Sequence, residues 1–246
     1  MMITRDIKMA DVIHMNHFSL SILDRFGIEL GFGDKSVDET CKAYNVDTDF
    51  FLEIINAFVD KDYFPKKQLQ SFPVKLITEY LQKTHDYYMQ VKVPEIESLI
   101  EQMVLTCYTQ KENISLLERF FSGYKTELKN HIQREEKVVF PYTHLIENAF
   151  YSERIDKKVL QQMEDYSIDI FEKEHDDIEE KLFDLKNIII KYLPQPNNKN
   201  LCHNLLHELF GLEKDINDHS RIEDKVLVPK IREMEKGIKK KAGIIA

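Results

Sequence analysis

A repeated helical segment is the feature that most constrains the fold of this chain. Residues 127–141 and 215–229 carry the same arrangement 88 positions apart, a His followed by a Glu four positions later and a closing Lys-Val-x-x-Pro. Steps of four and three residues place the surrounding apolar residues on one face of a helix, the face that packs into a bundle. That stripe also repeats after 88 positions, as Leu117, Phe121, Tyr124, Leu128, His131, Glu135 and Val138 and then as Leu205, Leu209, Leu212, Ile216, His219, Glu223 and Val226.

Each copy is preceded by another apolar stripe that contains a single His. His85 follows Leu81 in one stripe, and His175 follows Phe171 in the other, 90 positions further along. Each half of the chain therefore predicts a helical hairpin, and two hairpins that cannot bury their own stripes are expected to form a four-helix bundle. We predict bundle helices over about 74–104, 112–140, 163–192 and 200–235.

Six polar residues in these stripes are expected to bind metal. Buried imidazole and carboxylate groups without partners cost roughly 1–3 kcal/mol each, so a bound cation is expected to satisfy them. Nitrogen and carboxylate ligands favour two iron ions, with manganese or zinc as less suitable alternatives. Two readings compete with this one, namely core histidines bonded to backbone carbonyls and a duplicated bundle that has lost its metal chemistry. The predicted ligands are His85, His131, Glu135, His175, His219 and Glu223.

This ligand pattern resembles that of hemerythrin-like domains, and more closely that of the repair of iron centres family. In that family a lone His, a His-x-x-x-Glu followed by Phe-Pro, a second lone His and a second His-x-x-x-Glu hold two non-haem irons. All six positions match here. The resemblance implies an all-α fold, a hemerythrin-like four-helix bundle preceded by a small three-helix N-terminal module.

The N-terminal segment also resembles the small helical domain that precedes the bundle in this family. There the turn after a Phe-Gly-Ile-Glu-like segment usually carries Cys-Cys-Gly-Gly, but this chain has Gly-Phe-Gly-Asp at 31–34. The single thiol of Cys41 cannot replace a vicinal pair. We predict a module over 1–62, a polar connection up to Pro73, and a di-iron bundle over 74–235.

The resemblance implies a role in repairing iron–sulfur clusters damaged by nitric oxide or oxidants. Damaged iron–sulfur proteins and small gases such as NO and O2 are then the expected partners. Glu135 and Glu223 are the candidates for carboxylate shifts that open metal positions. A di-iron O2 or NO sensor or carrier, and an enzyme that reduces NO or peroxide, remain alternatives, so the residues leave open whether the protein is an enzyme.

Composition restricts the remaining possibilities. Seven Gly, seven Pro and no Trp fit an all-α chain, and three scattered Cys form no disulfide framework. The net charge is −9, and the segment 1–62 holds six basic against twelve acidic residues, which argues against nucleic-acid binding. The first residues contain no apolar core of signal-peptide length and no stretch is long enough for a membrane span, so we expect a cytoplasmic location. The apolar stretch 50–58 is expected to pack on the bundle or, in a homodimer, on a second chain.

Several further polar residues lie near the motifs or along the same helices. Glu127 and Asp215, one turn before the repeated His, are candidate acceptors for the ring N–H groups of those ligands. Glu174 is a candidate for lining access to the site. His203 and His207 are expected to face solvent, and His144 is expected to lie outside the regular helix after Pro141.

Overall fold

The computed structural model describes residues 2–106, 112–173 and 178–244. Within these ranges all regular elements are helices, and extended backbone pairs only at an isolated bridge between Lys8 and Ser36. The all-α prediction is therefore confirmed. None of the described helices combines the length and the apolar character that a bilayer span requires.

The N-terminal segment contains four short helices, one more than predicted. Its first two helices are separate because Asn16 is extended and its side-chain oxygen accepts the backbone N–H of Phe18, which makes a local turn. Ser36 and Glu39 form a reciprocal capping box at the start of the third. The four are α1 (Met9–Met15), α2 (Ser19–Arg25), α3 (Val37–Ala43) and α4 (Thr48–Val59), and the short α5 (Lys66–Ser71) follows in the connection to the bundle.

Wide π-turns interrupt the bundle helices. Three of the interrupted helices continue beyond the π-turn, and the one that is third along the chain ends there. The first rod is α6 (Val74–Tyr87), π1 (Tyr88–Lys92) and α7 (Val93–Thr106), and the second is α8 (Glu112–Arg134), π2 (Glu135–Val139) and α9 (Phe140–Tyr151). The short α10 (Lys157–Asp165) and α11 (Ile168–Lys173) lead to α12 (Ile178–Asn187) and π3 (Ile188–Tyr192). The last rod is α13 (Lys199–Ile222), π4 (Glu223–Leu227) and α14 (Val228–Lys241). Helix α13 packs on α7 and α12, and α8 packs on the same two helices, as in a four-helix bundle.

Every one of these π-turns begins six residues before a proline. A proline has no N–H to donate, so the helical hydrogen bond to the carbonyl four residues back is lost. The residue before each proline donates instead to the carbonyl five residues back, which closes a wider turn. The prolines are Pro94, Pro141, Pro194 and Pro229.

The π-turns explain where the predicted helix limits and apolar register were wrong. The second rod continues to Tyr151, although 141–162 was predicted to be a link. The extra residue in the turn rotates the following chain by about 100° relative to a regular helix. Val138, predicted to face inward, is 44% exposed and Val139 is buried, whereas the equivalent Val226 in π4 is buried as predicted. His144 lies within α9, where a ring nitrogen is 3.1 Å from the hydroxyl of Thr78.

Two hydrophobic clusters fill the core. One joins the N-terminal helices to the nearer end of the bundle and includes Phe51 and Leu81, and the other fills the far end and includes Tyr88 and Ile216. His85 lies between Leu81 and Tyr88 along its rod, so the candidate ligands form a polar layer between two apolar ones. The division of the chain into residues 1–62 and 74–235 stays a prediction.

Candidate metal centre

Five of the six predicted ligands lie in one buried layer of the bundle. One ligand atom from each of His85, Glu135, His219 and Glu223 lies within 4.8 Å of the others. His131 joins this group through Glu135, because its Nε2 is 2.7 Å from a carboxylate oxygen of that residue. All five side chains are buried, and both carboxylates have no exposed surface. The sixth predicted ligand, His175, lies outside the described residues.

The π-turns determine where the two Glu ligands sit. Glu135 begins π2 and Glu223 begins π4, at equivalent places in the two copies. The wide turn closes on the ligand's own backbone carbonyl, which accepts the N–H of Phe140 in one copy and of Val228 in the other. The repeated Pro therefore positions the backbone of a ligand six residues upstream.

His85 connects the two copies of the motif. Its Nε2 lies 3.0 Å from Glu135 Oε2 and 3.2 Å from Nε2 of His219. Within the second copy, His219 Nε2 is 3.3 Å from Glu223 Oε1. Three imidazoles and two carboxylates thus converge from three helical rods on one point of the core.

The electrostatics of this layer depend on a proton carried by His85. Burial lowers the pKa of His85, but the hydrogen bonds to Glu135 and Glu136 and the negative charges of Glu135 and Glu223 outweigh it and raise that pKa to about 9. Burial also raises the pKa of Glu135, but the contacts with His131 and His85 outweigh it and hold that pKa below its usual range. The pKa of His219 is lowered well below its ordinary value by burial and by the nearby His85. Without a cation, the layer is therefore an imidazolium beside a carboxylate, with His219 neutral.

The donor set fits a transition-metal ion. The Nε2 atoms of His85 and His219 face each other at 3.2 Å, and only a proton or a cation can satisfy both lone pairs at that distance. Buried carboxylates of this kind are otherwise expensive, and a divalent cation compensates their charge directly. Imidazole and carboxylate together suit iron, manganese or zinc better than calcium or magnesium.

The structure adds one contact that the sequence pattern did not reveal. Oε1 of Glu136 lies 3.1 Å from Nδ1 of His85, the ring nitrogen that points away from the centre. An acceptor there orients a ligating imidazole and makes it a stronger ligand. The only signal in the sequence is that the second copy keeps a carboxylate at the equivalent position, Asp224.

The other candidate polar residues have different partners from those expected. Glu127 is exposed and pairs with Lys181, and Asp215 is buried and pairs with Arg25. Among the described residues, neither is hydrogen-bonded to a predicted ligand His. His203 and His207 are exposed, as predicted. The expectation for Glu174 falls outside the described residues.

Comparison with known proteins agrees with this geometry. Residues 94–231 match the family described as the hemerythrin HHE cation binding domain. That match covers more than half of the chain, so the chain belongs to the hemerythrin family. Among curated proteins it is similar to the iron-sulfur cluster repair protein ScdA of Staphylococcus haemolyticus (strain JCSC1435), with 19% identity over 233 residues. The alignment covers 93% of this chain and 99% of that protein, so it includes the N-terminal helices. The resemblance to the repair of iron centres family is thereby confirmed at the level of the family.

Proposed function

We propose that this chain is a cytoplasmic di-iron protein that takes part in repairing iron–sulfur clusters damaged by nitric oxide or oxidants. The observation that carries the proposal is the buried layer of imidazoles and carboxylates between two apolar clusters. The similarity to an iron–sulfur cluster repair protein along nearly the whole chain supports repair over other uses of such a layer.

The proposed centre uses six ligands for two irons. The two irons would be held by three described residues of the first half, His85, His131 and Glu135, together with His175, His219 and Glu223 of the second. His175 is included because its stripe repeats that of His85 in the sequence. Iron bound in this way would supply coordination positions for small molecules and an ion that can be given to a damaged cluster.

The protein's own groups suit reversible binding of ferrous iron. The carboxylate of Glu135 already contacts both His131 and His85, so it can follow a cation or return to these rings. When no cation is bound, a proton on His85 compensates the negative charge of Glu135. Iron donated in this way leaves without a change of oxidation state, and the apolar clusters on both sides keep bulk water out of the layer.

The described cysteines argue against a thiol in this step. Cys41 and Cys202 are both buried, and burial raises the pKa of the Cys41 thiol to about 12. A thiol of this kind stays protonated at neutral pH and is a poor nucleophile and metal ligand. Donation would therefore proceed by ligand exchange at the His and Glu layer, with the damaged iron–sulfur protein as the partner.

The first test of the proposal is iron content. The full chain, expressed with iron, is expected to retain about two iron ions. The His131→Ala variant is expected to lose at least half of them, whereas His203→Ala, which removes an exposed His on another helix face, is expected to lose none. Elemental analysis measures the iron content of the three folded proteins. A folded, unaltered chain without iron would refute the di-iron centre.

The second test separates repair from the alternatives. An iron–sulfur enzyme inactivated by NO is incubated anaerobically with the iron-loaded protein or with the same amount of free ferrous iron. Greater recovery with the loaded protein supports donation, and equal recovery refutes it. Reversible gas binding without recovery would indicate a sensor or carrier, and repeated turnover of NO or peroxide with a reductant would indicate an enzyme.

A further inference from the structure

A buried arginine from the N-terminal segment pairs with helix α13 close to the buried layer of predicted ligands. Arg25 is the last residue of α2, and its side chain is only 2% exposed. Its guanidinium donates to Asp215 Oδ2 on α13 and lies 3.3 Å from the hydroxyl of Tyr80. The ring of Tyr87 covers it at 5.0 Å. Removing one partner of an ion pair buried this completely costs more than breaking a surface ion pair.

Asp215 lies one helical turn before His219. Its Oδ1 is buried, and so is Nδ1 of His219, and neither atom has a hydrogen bond within the part of the chain that the structure describes. Residues four apart on a helix lie on the same face, so this carboxylate and this imidazole can reach each other. A buried donor and a buried acceptor on the same face of α13 are thus available to each other.

A ligating imidazole needs an acceptor for its second N–H. Such an acceptor sets the tautomer and the direction of the ring, as Glu136 does for His85. Asp215 can accept with Oδ1 because Arg25 holds Oδ2. We propose that Arg25 and Asp215 position His219 for metal binding, with Asp215 accepting the Nδ1–H of the metal-bound ring and Arg25 orienting Asp215.

The inference makes α2 a part of the metal centre, and it rests on the proposed iron site. Arg25 and Asp215 are positioning residues, because neither touches the metal. The equivalent of Asp215 in the first copy, Glu127, is exposed and pairs with Lys181 at the surface. That difference provides a matched control within the same chain.

The test measures how tightly the full chain holds ferrous iron. The variants are Asp215→Asn, Arg25→Lys and the double change Arg25→Met with Asp215→Asn, with Glu127→Gln as the control. The double variant removes both charges together, so no uncompensated buried charge is left to unfold the protein. Iron affinity is measured anaerobically by competition with a coloured ferrous chelator, and the unfolding of each iron-free protein is recorded alongside.

A second readout observes the ring of His219 directly. Each protein is labelled with ¹⁵N-histidine and loaded with zinc as a diamagnetic probe, and the Nδ1–H signal of His219 is assigned by comparison with His219→Gln. In the unaltered chain this proton is expected to be hydrogen-bonded and slow to exchange. Loss of general stability alone would leave the signal in place.

We expect Asp215→Asn and the double variant to bind iron about 10-fold more weakly and to lose the protected Nδ1–H signal. Arg25→Lys, which keeps the positive charge, should lose less, and Glu127→Gln should match the unaltered chain. Equal iron affinity in the double variant and in Glu127→Gln would overturn the inference, as would an unchanged His219 signal. Failure of the unaltered chain to hold iron would instead refute the proposed function, and this inference with it.

Discussion

The two copies of the metal motif have the same sequence pattern but different surroundings. Each has an acidic residue one turn before its His, Glu127 in the first copy and Asp215 in the second. The side chain of Glu127 is 48% exposed and pairs with Lys181, whereas that of Asp215 is 10% exposed and pairs with Arg25. Helix α2 covers the second copy at this position. Equivalent positions in a repeat can therefore carry different roles once another part of the chain covers one of them.

The difference matters because the two ion pairs have different energies. An exposed pair contributes about 0–1 kcal/mol, since water solvates and screens both charges. Removing one partner of a buried pair leaves the other charge without compensation and is far more damaging. The comparison of the two copies can therefore be tested through stability as well as through metal binding.

The largest effect is expected from breaking the buried pair on one side only. Arg25→Met should lower the free energy of unfolding of the iron-free protein by about 3–5 kcal/mol, because it leaves Asp215 buried and unpaired. Lys181→Met, the same change on the first copy, should lower it by about 0–1 kcal/mol. Urea unfolding followed by circular dichroism measures both. Equal losses in the two variants would show that the copies do not differ in this way.

The next effect concerns pH and separates the two Glu ligands. His85 has a pKa of about 9 in the folded iron-free protein, above the ordinary value of 6.5. Protonation of His85 therefore stabilises the folded protein. This contribution is fully present below about pH 6.5 and is lost as the pH rises through 9. The loss should amount to roughly 2–3 kcal/mol between these limits.

Glu135→Gln should remove most of that pH dependence, because Glu135 supplies the strongest charged contact of His85. Glu223→Gln should leave most of it, because Glu223 acts on His85 only through its charge. Urea midpoints measured from pH 6 to 10 test this contrast. A pH profile that responds equally to both changes would contradict it.

A smaller effect is expected at the acceptor of His85. Glu136→Gln replaces a charged acceptor with a neutral one, so the full chain should bind iron about 10-fold more weakly. Glu127→Gln, which changes an exposed carboxylate on the same rod, should leave iron affinity unchanged. Chelator competition compares the two. Unaltered affinity in the Glu136 variant would mean that Glu136 does not support His85 in the metal-bound state.

The smallest effect concerns the wide turn of the second copy. Pro229 leaves the carbonyl of Lys225 without its helical donor, and the side-chain amide of Gln70 on α5 donates to it at 3.1 Å. Gln70→Ala should therefore cost about 0.5–1.5 kcal/mol of stability. Gln68→Ala removes an exposed amide from the same helix and should cost nothing measurable in the same urea titration. A loss of equal size in both would indicate an effect on α5 itself.

The clustering of five of the six predicted ligands could be predicted from the sequence because it depends on local helix geometry. His219 and Glu223 are four residues apart on one rod, and the repeat identifies their partners in the first copy. The apolar stripes then place His85 at the same depth in the bundle. Periodicity of this kind depends only on helix geometry, and tertiary packing did not alter it.

The wrong predictions came from turns that depart from regular helix geometry. The register that was carried through both turns placed Val138 and Val226 inside, and only Val226 is buried. The proline that follows π2 was present in the sequence, but it was taken as the end of a helix. Pro141 in fact lies inside a continuous rod.

The contacts around the ligands could not be predicted, because they depend on tertiary packing. Glu136 neighbours Glu135 but points to a different face, and it reaches His85 only because another rod brings that ring close. Arg25 and Asp215 are 190 residues apart, and no local pattern connects them. Their pairing depends on how α2 packs against the bundle.

The paired wide turns also bear on the order of events in the history of the chain. π2 and π4 begin 88 residues apart, each at its ligand Glu and each followed by its proline. A single ancestral hairpin that already contained the extra residue, and was then duplicated, explains both with one insertion. The opposite order would require the same insertion twice, at the same ligand. The two copies thus share the widened turn and differ in the partners of Glu127 and Asp215.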